Sequence, residues 1–423
     1  MIDIKIIRKN PEKVKLAAEQ KLLEVDIDRV LFLDEQLRKM NYQIDTLRNQ
    51  RNDLSNKVKT AAPDQRKKII EEVKIIKDEL QPLETELSAF KAEFDALMFN
   101  VPSVPAPEVP VGKTDEDNVF VRKVGDIPNF DFPAKDHVDL AQSLDLIDTE
   151  RAVKFAGSRT YFLKNEGLLL EMAITRFVID HLCKKGFTPM SVPLMVRESA
   201  MTGTGYFPIG ADQAYKLPED ELFLIGTSEV ALVSYHQNET LNCDELPKKF
   251  AGYSTCFRRE AGTYGKDTRG LYRVHQFQKV EQVIICEADD KKMNSLHHEV
   301  LNNAEEILQA LELPYRVMLA CTGEIGIGQI KKHELETWMP SRNAYQETHS
   351  CSSFGDFQAR RSGIKYRDKY GNIKYCYTLN NTGIASPRIL IPLLELNQQS
   401  DGSVKIPKVL QPYMGGMIVI KKK

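Results

Sequence analysis

Apolar residues recur every three or four positions between residues 28 and 98, and this spacing constrains the fold more than any other feature. In the first run, Val30, Leu37, Ile44 and Val58 share one heptad position, and Leu33, Met40, Leu47 and Leu54 share another. The second run keeps the same spacing through Ile69, Val73, Ile76, Leu80, Leu83, Leu87, Phe90, Phe94 and Leu97. A seam of this period is typical of helices that pair as a coiled coil.

A helix-breaking segment separates the two runs. Residues 60–64 read TAAPD, which places a proline where a second helix would start. Two such helices with a short connection fold back on each other, so we predict an antiparallel hairpin roughly 45 Å long. Pro82 lies inside the second run and should kink that helix.

Basic residues crowd the far end of this hairpin. They are Arg48, Arg51, Lys57, Lys59, Arg66, Lys67 and Lys68, against the acids Asp53 and Asp64. The net charge of the chain is only -2, so contact with a nucleic acid would need a local patch of this kind. The patch belongs either to an ordinary solvated coiled coil or to an arm that touches a phosphate backbone. Because no aromatic residue interleaves it, backbone or shape contact is favoured over base stacking.

Closely spaced prolines follow the hairpin and mark a domain boundary. Residues 101–112 read VPSVPAPEVPVG, which is typical of a stiff extended linker. We therefore predict an arm over residues 1–100, a linker over 101–118 and a second domain over 119–423. In that domain, alternating strand-like runs mix irregularly with amphipathic helices such as 168–185 and 290–311. This order favours an antiparallel α+β fold, a sheet flanked by helices, over a doubly wound one.

A hairpin with charged residues on its inner face is the most informative segment of the second domain. Its first arm, residues 253–260, places Arg258 and Glu260 on one face, and its second arm places Phe277, Lys279 and Glu281 on one face. A loop with Gly262, Gly265 and Gly270 joins the arms. A structural hairpin would carry Val or Ile at the inner positions. The spacing suits an elongated ligand, because Phe277 and Glu281 stand about 13 Å apart along a strand.

The start FRREAG and the finish HQFQKVE of this hairpin resemble motif 2 of the class II aminoacyl-tRNA synthetases, in the version of the seryl-tRNA synthetases. The resemblance implies a class II catalytic domain behind a coiled-coil arm. It also implies activation of L-serine with ATP to seryl-adenylate and transfer of serine to the 3′ end of tRNA(Ser). It leaves open whether a selenocysteine tRNA is also charged.

A second site lies in YTLNNTGIASPRILIPLLE, residues 377–395. We expect a strand end at 377–379, a turn at Gly383, and a helix with Ser386 as N-cap and Arg388 in its first turn. An arginine at a helix N-terminus suits an anion placed between the two. The segment resembles class II motif 3, whose arginine would be Arg388. Many bacterial members read NGSGLA where this chain reads NNTGIA, so Thr382 replaces a common serine.

Further fragments follow in the order of the family. Thr227, Ser228 and Glu229 resemble a loop that holds the amino group of serine, and Glu347 and Ser350 resemble an element near ATP and Mg²⁺. MTGTGYFP, residues 201–208, resembles a loop ahead of the active site, and Pro193 is a candidate motif 1 proline at the interface of a homodimer. Each fragment alone also fits a capping or structural role.

The resemblance assigns roles to these residues. Arg258 would bridge the serine carboxylate and the α-phosphate, and Arg388 would reach the γ-phosphate. Catalytic roles fall on Arg258, Glu260 and Arg388. The serine site comprises Thr227, Ser228, Glu229, Arg258, Glu281, Asn380 and Thr382. The ATP site comprises Arg258, Arg259, Glu260, Val274, Phe277, Glu347, Thr348, His349, Ser350 and Arg388, and Mg²⁺ would be held by Glu347 and Ser350. The arm residues that would meet tRNA are Arg48, Arg51, Lys57, Lys59, Arg66, Lys67 and Lys68.

The cysteine pattern and the hydropathy of the sequence indicate the cellular compartment of the protein. Seven scattered cysteines without a C-x-x-C pair argue against a zinc ribbon or a disulfide framework. No apolar run approaches the roughly 20 residues of a membrane span, and the first residues lack the core of a signal peptide. We expect a soluble, cytoplasmic protein without a membrane partner.

Two other readings stay open from the sequence. One is a different class II synthetase or an amino-acid:carrier ligase. The basic-tipped arm argues against the carrier ligase, because such an enzyme would need no tRNA arm. The other is a non-enzymatic paralogue that binds RNA or a protein. Intact Arg258, Glu260, Glu347 and Arg388 argue against the paralogue, because charged groups in an enclosed pocket are costly without a ligand.

Overall fold

The computed structural model describes residues 1–262 and 269–422 and divides into two compact units, Met1–Pro102 and Ser103–Lys423. Gly265 of the predicted glycine-rich loop lies outside the described residues. None of the described helices is long and apolar enough to cross a membrane.

The first unit is helical, with α1 at Ile4–Lys9, α2 at Pro11–Gln20, α3 at Ile27–Val58 and α4 at Pro63–Met98. Helices α3 and α4 form the expected hairpin, and all of its heptad positions are buried or half-buried. Arg29 joins the helices at the base through hydrogen bonds of 2.7 Å to both carboxylate oxygens of Glu93. Arg48 joins them further out through Glu84 at 2.8 Å. Helix α4 is assigned as one continuous helix through Pro82.

The second unit has eight helices among its described residues: α5 His137–Ser143, α6 Thr149–Ala156, α7 Asn165–Lys184, α8 Glu198–Thr204, α9 Glu229–Ser234, α10 Asp290–Ala310, α11 Phe357–Ser362 and α12 Leu390–Leu396. Its described strands are β1 Val119–Val124, β2 Ile147–Asp148, β3 Phe162–Leu163, β4 Thr188–Ser191, β5 Met195–Arg197, β6 Lys216–Leu217, β7 Leu222–Leu224, β8 Thr240–Asn242, β9 Lys248–Phe257, β10 Gln276–Cys286, β11 Tyr315–Leu319, β12 Lys331–Met339, β13 Ala344–Gly355, β14 Lys365–Arg367, β15 Ile373–Tyr375, β16 Tyr377–Ser386, β17 Val404–Lys405 and β18 Val419–Ile420.

An eight-stranded sheet organises this unit, in the order β1-β11-β12-β13-β16-β10-β9-β4. All neighbours are antiparallel except β4 and β9, so the predicted α+β class is confirmed. One face packs against α7 and α10 through residues such as Val280, Ile284, Ile174 and Val300. The chain before β1 also packs within this unit, because Ser103 N and Ala106 N donate to the carbonyls of Ile327 and Ile330.

The segment around Gly383 differs from the sequence expectation. Strand β16 does not end near Leu379 but continues to Ser386, and Gly383 lies inside it. The polar residues resemble a turn, yet β10 and β13 pair with the strand from both sides and Asn381 donates to the carbonyl of Val300 at 2.6 Å. Gly383 permits a close approach, because a Cβ there would lie 3.1 Å from the Val280 carbonyl.

The predicted N-cap at Ser386 is also wrong. Helix α12 begins at Leu390, and Arg388 lies in the turn before it. Ser386 ends β16 and lies four residues before the helix, too far to be its N-cap, and its hydroxyl donates to Oε1 of Glu171 at 2.6 Å. Pro392 is the third residue of α12, and the first four N–H groups of a helix have no partner within it, so this proline removes no hydrogen bond.

Candidate active site

A cleft of about 150 Å³, open to solvent, lies over the face of the sheet opposite α7 and α10. Strands β10, β13 and β16 form its floor, and loop residues at 206, 258–260, 271–274, 329 and 387–388 surround it. Its lining is mostly polar or charged: Tyr206, Glu229, Arg258, Glu260, Leu271, Tyr272, Val274, Phe277, Lys279, Glu281, Gln329, Glu347, Thr348, Ser350, Ser352, Asn380, Thr382, Ala385, Ser386, Pro387 and Arg388. Most of the site residues expected from the sequence therefore meet in one place.

The inner face of β10 carries Phe277, Lys279 and Glu281, as the period of two predicts. The neighbouring strand β9 ends at Phe257, so Arg258 and Glu260 follow the strand and do not extend it. The Arg258 guanidinium lies over the Phe277 ring, 5.2 Å from its centre. A cation and an aromatic face thus stand together at one end of the cleft.

Glu260 occupies a bend, with φ at +51°. Its Oε2 accepts a hydrogen bond of 3.1 Å from Nη1 of Arg273. A non-glycine residue in the left-handed region is uncommon and costs free energy, so the surrounding contacts must hold it there. Glu260 thus lines the cleft, as the alternation predicted, although it lies beyond the end of β9.

A buried group of three side chains lies at the other end of the floor. The Lys279 ammonium pairs with Oε2 of Glu281 and donates to the Thr227 hydroxyl at 2.7 Å. The side chains of Lys279 and Glu281 are only 7% and 3% exposed. Opposite Glu281 on the adjacent strand is Thr382, in direct antiparallel register. These side chains form a small pocket that contains one ammonium group together with hydroxyl and carboxylate oxygens.

Glu229 forms the side wall of this pocket. Its Oε1 accepts from Gln358 at 2.7 Å, and its Oε2 accepts from the Tyr206 hydroxyl at 3.0 Å. Burial, aided by the charge of Glu281, raises the pKa of Glu229 to about 7. A nearby cationic ligand would therefore stabilise the ionised form of this carboxyl near neutral pH.

Arg388 lies beside the Tyr272 ring and near the Glu347 carboxylate. Its guanidinium stacks 4.3 Å from the centre of the Tyr272 ring, and its Nη1 donates to the Glu347 carbonyl at 3.1 Å. Oε2 of Glu347 is 3.7 Å away. Stacking fixes the plane of the guanidinium, and a fixed plane suits bidentate contact with a phosphate.

Oxygen donors follow one another along β13. Glu347, Thr348 and Ser350 line the cleft, and the register shifts between Leu335 and Glu336 of the facing strand, so that Glu347 and Thr348 share one partner position. Among the described residues no group of three His, Cys, Asp or Glu side chains could hold a metal ion. A carboxylate and a hydroxyl nevertheless fit Mg²⁺, which takes one or two protein oxygens and completes its octahedron with water and phosphates.

Four residues expected at the site do not line the cleft. Ser228 is buried and donates to the Gly252 carbonyl at 3.1 Å, and Thr227 reaches the site only through Lys279. Arg259 turns to the carbonyl of Asp212. His349 points to the opposite face of the sheet, between Thr348 and the Gly383 carbonyl, and burial lowers its pKa to about 4. Strand alternation accounts for His349, because its neighbour Ser350 faces the cleft.

Several residues that line the cleft were not predicted as site residues from the sequence. Tyr206 lies in the fragment 201–208, which gave a place but no role, and Lys279 lies on the inner face of β10 and received no assignment. The alternation of β10 was a sufficient signal for Lys279. Tyr272 and Gln329 come from irregular segments, where no periodicity indicates direction.

The basic residues of the helical hairpin belong to the first unit. Arg48 is paired with Glu84, and Arg51 donates to Asn52 at 3.3 Å. Lys57, Lys59, Arg66, Lys67 and Lys68 are exposed near the turn. Because exposed charges are weakly held by their neighbours, they remain available to an anionic surface.

The chain matches two family models. Residues 1–105 match the seryl-tRNA synthetase N-terminal domain, and residues 215–397 match the tRNA synthetase class II core domain (G, H, P, S and T). The serine–tRNA ligase of Deinococcus radiodurans is 46% identical over 99% of both chains. Among solved structures, seryl-tRNA synthetase of Pyrococcus horikoshii complexed with ATP superposes with a TM-score of 0.92, 37% identity and full coverage of both chains. The cytoplasmic serine–tRNA ligase of Naegleria fowleri in complex with AMP gives 0.88 at 30% identity, over 100% of this chain and 99% of that one.

Proposed function

The chain belongs to the seryl-tRNA synthetase family of class II aminoacyl-tRNA synthetases, and we propose how its own residues carry out the family reaction. It is an aminoacyl-tRNA ligase that binds ATP and charges tRNA with serine. The observation that carries the proposal is the placement of Arg258, Glu281, Glu347 and Arg388 around one cleft.

The reaction has two steps. A carboxylate oxygen of serine attacks the α-phosphorus of ATP, the bond from that phosphorus to the bridging oxygen breaks, and pyrophosphate leaves. A ribose hydroxyl at the 3′ end of tRNA then attacks the carbonyl carbon of seryl-adenylate, and AMP leaves. Neither step needs an enzyme nucleophile, so the cleft acts through positioning and charge neutralisation.

The nucleotide occupies the end of the cleft with Phe277 and Arg388. Phe277 stacks on the adenine, Glu260 accepts from its amino group, and Arg388 reaches the γ-phosphate. Arg258, above Phe277, bridges the α-phosphate and the serine carboxylate, a task that suits the planar fork of a guanidinium. Glu347 and Ser350 would hold Mg²⁺, which would supply positive charge against the phosphates.

Serine occupies the buried end of the floor. Its hydroxyl donates to Glu281 and contacts Thr382, which faces Glu281 across the paired strands. Its ammonium lies against Glu229, whose two carboxylate oxygens are already oriented by Gln358 and Tyr206. Thr227 supports this end through Lys279, and Ser228 has a packing role only.

The coiled-coil arm meets the tRNA. Its exposed basic end fits a phosphate backbone, and the resemblance stated above points to the long variable arm of tRNA(Ser), read by shape. In the family, the arm of one protomer serves the cleft of the other, so this assignment also calls for a homodimer.

We propose that α7 and α6 form the homodimer interface. Leu168, Leu169 and Met172 of α7 are 43%, 46% and 59% exposed, and Phe155 of α6 is 75% exposed. Strand β4 ends the large sheet on its β9 side, which leaves its outer edge available to a second copy. Exposed apolar side chains on one surface are typical of such interfaces. The enzyme would work in the cytoplasm, where its free cysteines stay reduced.

ATP–pyrophosphate exchange tests the pocket directly. With purified protein and Mg²⁺, we expect serine to support exchange, and alanine and glycine to be rejected by on the order of 10⁴-fold because they leave Glu281 without a donor. Threonine must be rejected by lack of room for one methyl group, worth roughly 10- to 200-fold. Threonine should therefore be the leakier competitor, and equal activation of alanine and threonine would contradict the hydroxyl pocket.

The pKa of Glu229 predicts a pH dependence of serine binding. The free carboxyl has a pKa raised to about 7, whereas the serine ammonium favours the ionised form, so binding below neutral pH must expel a proton. We expect the KM for serine to be about tenfold higher at pH 6 than at pH 8. Glu229→Gln should weaken binding and flatten this profile. An unchanged slope in that variant would assign the titration to another group.

Removal of the arm should separate the two steps. Residues 29 and 93 lie side by side at the base of the hairpin, so a short glycine linker can replace residues 35–92. The shortened protein should keep ATP–pyrophosphate exchange and lose tRNA charging. The matched full-length variant Arg66→Glu/Lys67→Glu/Lys68→Glu should show the same split. Loss of exchange in a folded deletion would refute the separation.

The interface proposal predicts a change of mass. Light scattering should give the wild type twice the 48.2 kDa of one chain. Leu169→Glu/Met172→Glu should give a monomer, because two buried, unpaired carboxylates oppose association. Ile373→Glu, at an exposed apolar residue on β15, is the control and should stay dimeric. A monomeric wild type would exclude the proposal.

A further inference from the structure

A buried lysine lies in the floor of the cleft, and none of the ligand contacts proposed above involves it. Lys279 stands between Phe277 and Glu281 on the inner face of β10, with a side chain that is 7% exposed. Lysine is almost never fully buried unless it is paired, because taking an ammonium out of water is costly. Its partners should therefore indicate what it does.

Both partners of Lys279 belong to the end of the cleft assigned to serine. The Lys279 ammonium pairs with Oε2 of Glu281, an oxygen that is shielded from solvent, and it donates to the Thr227 hydroxyl at 2.7 Å. One cation thus anchors the floor residue and the loop that leads into α9. Glu281 is held by this contact on one oxygen while its carboxyl group still lines the cleft.

Other titratable groups around Glu281 come from several elements. Glu229 faces it from α9, and Tyr206 from the loop after α8. Cys256 on β9 and Cys351 on β13 lie within reach of its charge, and Arg258 acts together with it on the Tyr206 hydroxyl. The pocket therefore holds two carboxylates close together, and the buried ammonium of Lys279 pairs with Glu281 and acts electrostatically on Glu229.

We propose that Lys279 is a positioning residue that makes the pocket selective for the serine hydroxyl, because it engages the shielded Oε2 of Glu281 and leaves the rest of the carboxylate to accept from the ligand. A carboxylate only accepts hydrogen bonds, so a ligand must bring a donor to satisfy it. Without the ammonium, Oε2 would have no buried partner, and the Glu281 carboxylate would no longer be fixed toward the ligand hydroxyl. Serine would lose its advantage over alanine. This inference rests on the proposed function.

The test is ATP–pyrophosphate exchange by Lys279→Met, which keeps the length of the side chain and removes its charge. At pH 7 we expect kcat/KM for serine to fall on the order of 100-fold, whereas that for alanine changes less than about fivefold. A purely structural role would lower kcat/KM for both amino acids together and leave the serine/alanine ratio unchanged.

A double-mutant cycle separates the two explanations. In a Glu281→Gln background there is no carboxylate for Lys279 to hold, so Lys279→Met should change the serine/alanine ratio by less than about threefold. An effect as large as in the wild-type background would overturn the proposal. If Lys279→Met alone fails to fold in a thermal melt, the comparison of the double variant with Glu281→Gln, both free of the buried ion pair, decides the question on the same ratio.

The outcomes also separate this inference from the proposed function. A wild-type protein that activates no amino acid would refute the pocket as a whole. A wild-type protein that selects serine, together with a Lys279→Met variant that keeps the full serine preference at pH 7, would refute only the role of Lys279.

Discussion

Strand β10 must keep one register, because one of its faces packs in the core and the other lines the cleft. Val280 and Ile284 pack into the core against α7 and α10, whereas Phe277, Lys279 and Glu281 line the cleft. A slip by one residue would exchange the two sets and place charges in the core. The paired strands β9 and β16 hold this register along the whole of β10, so the hydrogen bonds of the sheet also fix the geometry of the cleft.

The charges of the cleft are distributed according to the parts of the ligand. Arginines with a planar fork, Arg258 and Arg388, stand over aromatic rings at the end assigned to phosphates, where they remain partly hydrated. The compact ammonium of Lys279 lies at the enclosed end, paired with Glu281. The arginine guanidinium stays protonated and can donate two parallel hydrogen bonds to one phosphate or carboxylate. The lysine ammonium is a compact charge that fits a small space. Exchange of the two residue types would disturb both ends.

Helices and strands with a strong hydrophobic periodicity were predicted correctly from the sequence. The ends of these elements, and the directions of side chains near the ends, were predicted less well. The heptads gave the α3–α4 hairpin, and alternation gave the inner face of β10. The wrong predictions concern Gly383 and Ser386, where the polar composition resembles a turn. Pairing with β10 keeps the chain extended as far as Ser386. Ser228 and His349 belong to segments that resemble family motifs, but neither side chain lines the cleft. Ser228 donates to the Gly252 carbonyl, and His349 faces the core. A motif identifies a segment of the chain, but it does not show which way each side chain points. Tyr206 became recognisable only when the fold brought it to Glu229.

The two selections that this enzyme must make call for different physics, and under the proposed function they fall to different units of the chain. Serine is selected by a few buried hydrogen bonds, where one unpaired oxygen can cost orders of magnitude in rate. A tRNA is selected over a long, hydrated surface, where many weak charge contacts depend on shape and salt. Residues 48–68 contain basic and small polar side chains without an aromatic, which suits the second task and would be useless for the first. The buried polar pocket needs a rigid sheet beneath it, and the arm needs only length and charge.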